Sequence, residues 1–191
     1  MKLFGSGPSP FVRRIRMLLV DQPYEFVTLN IFEQQDRAVL VAHNPARKVP
    51  MLLDGEQVIF DSGVIYRYLA AKLQLPPLSW QQENQLTLIN AANDSLVELL
   101  LCKRSGFDIQ DDKLFFNLQH ERIEAILSHF EAAVKAGQLQ QWDYLAMSLY
   151  SLLDWLIFRE MADLSPYPAL QQYLQTFANH PAVQSTDPRH S

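Results

Sequence analysis

Three short stretches of this sequence hold residue types suited to binding a thiol or an anion. Ser9 stands directly before Pro10-Phe11-Val12. A hydroxyl at a helix N-terminus faces unpaired backbone N–H groups and the positive end of the helix dipole, which suits an anion. The plainer use of a serine there is capping alone. The second stretch is Asn44-Pro45-Ala46-Arg47-Lys48-Val49-Pro50, running straight into a strand pattern. An X-Pro bond at a strand entrance can be cis and would then present the Val49 backbone to a ligand, although trans is the commoner state. The third is Asp61-Ser62 at the start of a helical pattern. Ser62 reads as an N-cap. A hydroxyl with helix N–H groups also holds a carboxylate, and the neighbouring Asp61 can pair with an amine.

Other residues carry weaker signals. His43, His120, His129, His180 and His190 show no i, i+4 spacing on a helix, so no metal site is expected. Gly5-Ser6-Gly7 lacks the Lys-Ser/Thr ending of a phosphate loop. Arg13, Arg14 and Arg16 read most simply as the solvated face of the first helix, with a reach of one of them into an interdomain cleft as the alternative, and Cys102 reads as a small buried hydrophobe.

The elements that must position these residues follow from periodicity. Strands are expected at residues 2–5, 24–29, 51–53 and 58–60, the last two joined at Asp54-Gly55. Helices are expected at 10–20, at a poor short segment 37–42, and at 62–73. The order β-α-β-α-β-β-α implies a parallel first pair with a right-handed crossover, then an antiparallel hairpin. Pro76-Pro77 breaks the pattern, so residues 1–74 form one domain and 75–79 a stiff connector. Residues 80–191 read as all-helical, with helices at 83–101, 113–134, 143–159 and 168–179. The fold class is therefore α/β followed by all-α.

Composition narrows the function. The 191 residues hold 16 Lys plus Arg against 21 Asp plus Glu, a net charge of −5, with no dominant basic block. That disfavours nucleic acid as a partner. The single cysteine excludes an internal disulfide, a CxxC pair and a multi-cysteine zinc site. The N-terminus has Pro and Gly where a signal peptide needs an apolar run, and no stretch is apolar enough to span a bilayer. A cytoplasmic protein without membrane partners is expected.

Each motif is weak alone, but their order is specific. MKLFGSGPSPFVRRIRMLL, NPARKVPMLLDGEQVIFDSGVIYRYLA and YPALQQYLQTFANHPAVQSTDP resemble, in sequence, three separate regions of the cytosolic glutathione S-transferases. The likeness is to bacterial and plant-like members with a serine before the first helix, and it spans essentially the whole chain. It implies a thioredoxin-like glutathione-binding domain and a helical domain lining an acceptor pocket. On that resemblance, Ser9 meets the glutathione sulfur, and Phe11 is among the glutathione-binding residues. The Val49 backbone pairs with the cysteinyl portion next to cis Pro50, and Lys48 lies near the glycyl carboxylate. Asp61 meets the γ-glutamyl amine and Ser62 its carboxylate. Ser6 competes for the sulfur, but only Ser9 stands at the helix N-terminus. Leu101, Arg104 and Phe107 are expected in the acceptor pocket, which suits a small apolar electrophile with one cation nearby.

The resemblance implies glutathione as a co-substrate with no prosthetic group, and a homodimer. Relatives that reduce disulfides carry Cys where this chain has Ser9, which argues against that activity. The family's Ser/Thr-x-x-Asp cap before its buried helix is here Asp143 and Ala146, so half of a capping box is missing. The alternative is a non-catalytic member serving as a protein scaffold or a carrier of apolar ligands.

Overall fold

A computed structural model describes residues 1–190. The chain forms two compact units, Met1–Pro77 together with the stretch from His180 onward, and Leu78–Asn179. In the first unit, β1 (Lys2–Gly5) leads into α1 (Pro10–Leu18), β2 (Glu25–Thr28), α2 (Gln34–His43), β3 (Met51–Asp54), β4 (Gln57–Phe60) and α3 (Ser62–Lys72). The strands form one sheet in the order β2-β1-β3-β4. β1 and β2 run parallel, while β1–β3 and β3–β4 are antiparallel. The mixed topology expected from the element order is present. Phe4, Leu29, Leu40 and Met51 form a buried cluster, with Val27, Ile31, Val49 and Leu53 packed on it. Phe4 from β1 and Met51 from β3 face each other across the ladder, so residues adjoining the candidate site also form part of the core.

Two close approaches fix the local geometry. A Cβ on Gly5 would lie 2.6 Å from the Val12 methyl carbons, so glycine lets the end of β1 touch α1. The hairpin turns on Gly55-Glu56, because Asp54 is still paired with Gln57. The turn is thus one residue later than Asp54-Gly55, with Gly55 taking the positive φ of 61°.

Two expectations about the chain's organisation change. Residues from His180 onward group with the first unit rather than with the helical part that the span 80–191 implied; Ser191 lies outside the described residues. The cause is α1. Arg13 Nε donates to Thr186 Oγ1 and Arg13 Nη2 to the Val183 carbonyl, both at 3.3 Å. Arg16 Nη2 donates to the Ser185 carbonyl at 3.4 Å. A short helix α8 (Pro181–Gln184) buries Ala182 and Val183 in this region. Arg13 and Arg14 are both buried, not solvated, Arg13 against this tail and Arg14 against Ser62. An arginine count reports charge, and it does not report hydrogen-bonded burial of the guanidinium.

The second unit consists of α4 (Trp80–Arg104), α5 (Leu114–Lys135), α6 (Tyr144–Phe158) and α7 (Pro168–Phe177). α4 starts earlier than its apolar stripe, because Ser79 and Gln82 cap each other reciprocally. α6 is buried on nearly every face, the signature of an inner helix. Asp143 Oδ1 caps it by accepting from the Ala146 N–H at 2.9 Å. α7 is capped from a distance, as the Glu131 carboxylate of α5 accepts from the Ala169 and Leu170 N–H groups at 3.1 and 3.0 Å. Cys102 is half-buried, more exposed than its apolar neighbours suggested. No helix among the described residues is long and apolar enough to cross a membrane.

Candidate functional site

Sheet register brings the three motif segments of the first unit to one edge. Phe4, Met51 and Phe60 are neighbours across β1, β3 and β4. The chain leaves β1 just beyond Phe4 toward Ser9. It enters β3 at Met51 from Val49-Pro50, and leaves β4 just beyond Phe60 at Asp61-Ser62. The antiparallel pairing of β3 with both β1 and β4 is what collects these ends.

At the first turn, Ser9 is half-buried and caps α1, with Pro10 in the first helical position. Its Oγ accepts from the Val12 N–H at 3.4 Å, longer than a strong hydrogen bond. The Ser9 N–H donates to the Ser6 carbonyl at 3.0 Å. Ser6 thus serves the turn through its backbone, while Ser9 holds the helix terminus. Phe11 is half-buried, with the Arg14 guanidinium carbon 5.0 Å from its ring centroid.

The second segment is held by Asn44, which the motif contained but to which the sequence assigned no role. Asn44 is 1% exposed. Its Nδ2 donates to the Lys48 carbonyl at 2.8 Å, and its Oδ1 accepts from the Ala46 N–H at 2.9 Å. These bonds close the loop that delivers Val49, and the Val49-Pro50 peptide is cis. Pro50 is buried, Val49 half-buried and Lys48 exposed. The available signal was the Asn-Pro pair, since an Asn side chain bonds its own backbone two residues on.

The third segment corrects one assignment. Asp61, not Ser62, is the N-cap of α3. Asp61 Oδ1 accepts from the Gly63 and Val64 N–H groups at 2.9 and 3.1 Å, and the residue takes a φ of 71°. Ser62 becomes the first helical residue. It is 2% exposed and its Oγ accepts from Arg14 Nη2. At the opposite end of the sheet, Asp54 accepts from the Tyr68 hydroxyl at 2.7 Å and pairs with Lys72. Those hydrogen bonds, from Lys72 first and Tyr68 second, hold its carboxyl below the usual carboxylate range. The cluster ties α3 to the hairpin whose other end bears Asp61.

The acceptor residues expected in the second unit lie together at the end of α4. Leu101 and Arg104 are on its last turn, Phe107 follows it, and all three are exposed. They do not line two of the cavities in this unit. One of these is bordered by Ile157, Met161 and Gln171, the other by Gln82, Leu139 and Leu145. Sequence reasoning missed Arg159, the C-cap of α6. Its guanidinium carbon lies 4.6 Å from the Phe158 ring centroid. Its Nε is buried without a hydrogen-bond partner. Burial, and then the charge of Arg104, lower its proton affinity from the ordinary arginine value.

Residues 3–77 match the family described as "Glutathione S-transferase, N-terminal domain". The chain is 27% identical over 189 residues to a "Probable maleylacetoacetate isomerase" of Caenorhabditis elegans, covering 92% of this chain and 86% of the other. It is 26% identical over 202 residues to a "Probable glutathione S-transferase" of Glycine max, covering 98% and 88%. Among solved structures, a glutathione S-transferase from Methylobacillus flagellatus KT with GSH bound shares the fold. The TM-score is 0.84 at 18% identity, covering 97% of this chain and 98% of the other.

Proposed function

We propose that this chain, which belongs to the glutathione S-transferase family, transfers glutathione to a small electrophile, with Ser9 stabilising the glutathione thiolate. The observation that carries this reading is the convergence of the Ser9, Val49-Pro50 and Asp61-Ser62 segments on one sheet edge. Free thiols have a pKa near about 8.5, so little thiolate exists at neutral pH. A hydroxyl donor and a helix N-terminus both favour the charged form. The long Val12–Ser9 contact uses only a lone pair of Oγ, and the Ser9 proton is the group that donates to sulfur. Ser9 acts electrostatically and glutathione supplies the nucleophile.

Along the tripeptide, the Val49 backbone pairs with the cysteinyl residue and Lys48 meets the glycyl carboxylate. Asp61 Oδ2 takes the γ-glutamyl amine while Oδ1 caps α3, and the carboxylate lies at Ser62. Phe11 flanks the sulfur end. Calorimetric titration with glutathione tests this reading. Micromolar to low-millimolar binding supports it, and no heat at millimolar glutathione sinks it in favour of a scaffold.

A specific observation favours an anionic acceptor. Arg159 Nε is buried with no hydrogen-bond partner among the described residues, and a second guanidinium, Arg104, stands near it. Such a pair suits a carboxylate, as on an acceptor related to maleylacetoacetate. With Leu101 and Phe107 alongside, the acceptor is apolar with one acidic end, and the reaction is addition or isomerisation. Arg159→Met should raise the acceptor KM about tenfold for a carboxylated electrophile and leave a neutral one unchanged. Equal effects on both would remove the carboxylate.

A homodimer is part of the same proposal. It is supported by exposed Val58 and Phe60 on edge strand β4 and by exposed Val64 on α3, an apolar edge that pairing would cover. Sedimentation velocity giving a monomer at micromolar concentration would rule it out. A cytoplasmic setting is supported by the lone, unpaired cysteine.

A further inference from the structure

Arg14 is the largest side chain buried to this degree in the first unit, at 1% exposed. A guanidinium stays protonated, so α1 carries a fixed positive charge inside the unit. Arg14 Nη2 donates to Ser62 Oγ, and its guanidinium also stacks toward Phe11. It thereby links the two ends of the candidate glutathione site, the turn at Ser9 and the turn at Ser62.

We propose that Arg14 is a positioning residue that makes the N-terminus of α3 selective for a carboxylate, acting through Ser62. The proposal rests on the glutathione reading above, and the carboxylate is that of the γ-glutamyl group. Arginine has only donors, so Ser62 Oγ must accept from it, and the hydroxyl proton is turned away from the guanidinium. A hydroxyl that accepts from a cation is a stronger donor in its turn, because hydrogen bonds in a chain polarise one another. The backbone N–H groups of the first turn of α3 carry the same sign of potential. Asp61 works in the opposite direction. Its carboxylate caps α3 and suits the ligand's amine, but it would repel the ligand's carboxylate. A buried cation beside Ser62 offsets that repulsion and separates the two roles by one residue. Asp61 takes the positive group and Ser62, backed by Arg14, the negative one.

The test compares two ligands on the full chain, glutathione and γ-aminobutyryl-cysteinyl-glycine, which lacks only the γ-glutamyl carboxylate and its amine's α-acid setting. Binding of each is measured for the wild type, Arg14→Gln and Arg14→Lys, with circular dichroism as the check on folding. The wild type should prefer glutathione by about tenfold or more. Arg14→Gln, which keeps a donor toward Ser62 but no charge, should bring that preference within about threefold while leaving affinity for the analogue nearly unchanged. Arg14→Lys should retain a larger preference than Arg14→Gln. If Arg14→Gln does not fold, the comparison between Arg14→Lys and Ser62→Ala stands in. Preference must then survive in the lysine variant and vanish in the alanine one. Equal weakening of both ligands in Arg14→Gln, or an undiminished preference, overturns the proposal while the glutathione reading stands. Absence of glutathione binding by the wild type overturns that reading and the proposal with it.

Discussion

The first unit contains two strand-to-helix turns built to the same plan but capped with different strength. At α1, a neutral serine accepts one N–H at 3.4 Å, with Pro10 removing a second donor that would otherwise need a partner. At α3, a carboxylate oxygen accepts two N–H groups at 2.9 and 3.1 Å and holds its own backbone at φ 71°. The loosely bonded cap does not commit its hydroxyl proton to the helix. The tightly bonded cap is committed to the helix through one oxygen, Oδ1. On the function proposed above, the difference separates a turn used for chemistry from a turn used for binding.

Substitutions at the two turns should divide the same way. The largest effect expected is on turnover. Ser9→Ala should lower kcat/KM by about ten- to a hundredfold, the size of one or two pKa units of lost thiolate stabilisation. Its thermal stability should fall by at most about 1 kcal/mol, since the cap bond is long. Asp61→Ala should reverse the balance, costing about 1–2 kcal/mol of stability in denaturant titration through loss of a two-bond cap. A Ser9→Ala protein destabilised as much as Asp61→Ala would erase the contrast. Asp61→Asn sharpens it, because asparagine also caps. Stability should change by only a few tenths of a kcal/mol, while glutathione affinity falls several-fold with loss of the charge facing the amine.

The smallest effect concerns the far end of the sheet. Hydrogen bonds from Lys72 and Tyr68 lower the Asp54 pKa in the folded state. A lowered folded pKa gives stability that is present above the ordinary carboxylate range and lost as pH falls through the lowered value. The stability gap between the wild type and Asp54→Asn should therefore be largest near neutral pH and close in acid. The group is well solvated, so the gap is small. A gap that widened toward acid would contradict the sign.

Particular residues show how far the sequence could be read. The strands, the hairpin and helices α1 to α7 were visible in the sequence pattern, because core residues such as Ile65 and Leu69, or Ile123, Ile126, Leu127 and Phe130, recur at helix spacing; the four-residue α8 was not. The three motif segments, each weak alone, were visible through their order along the chain. What stayed hidden depends on polar side chains reaching across sequence. Arg13 binding the tail, Arg14 binding Ser62, Asn44 closing the loop before Val49 and Glu131 capping α7 leave no periodic trace. The cap of α3 moved by one residue for a related reason. Asp and Ser are both good caps, and only the backbone conformation at Asp61 decides between them.

The thiol pKa of bound glutathione tests the account most directly. It is read from thiolate absorbance of the saturated complex across pH, for the wild type and for Ser9→Ala. The wild type should titrate at least one unit below the free-thiol value of about 8.5, and Ser9→Ala should return most of the way to it. An unshifted thiol in the wild type, or the same lowered pKa in both proteins, would contradict the assignment of Ser9.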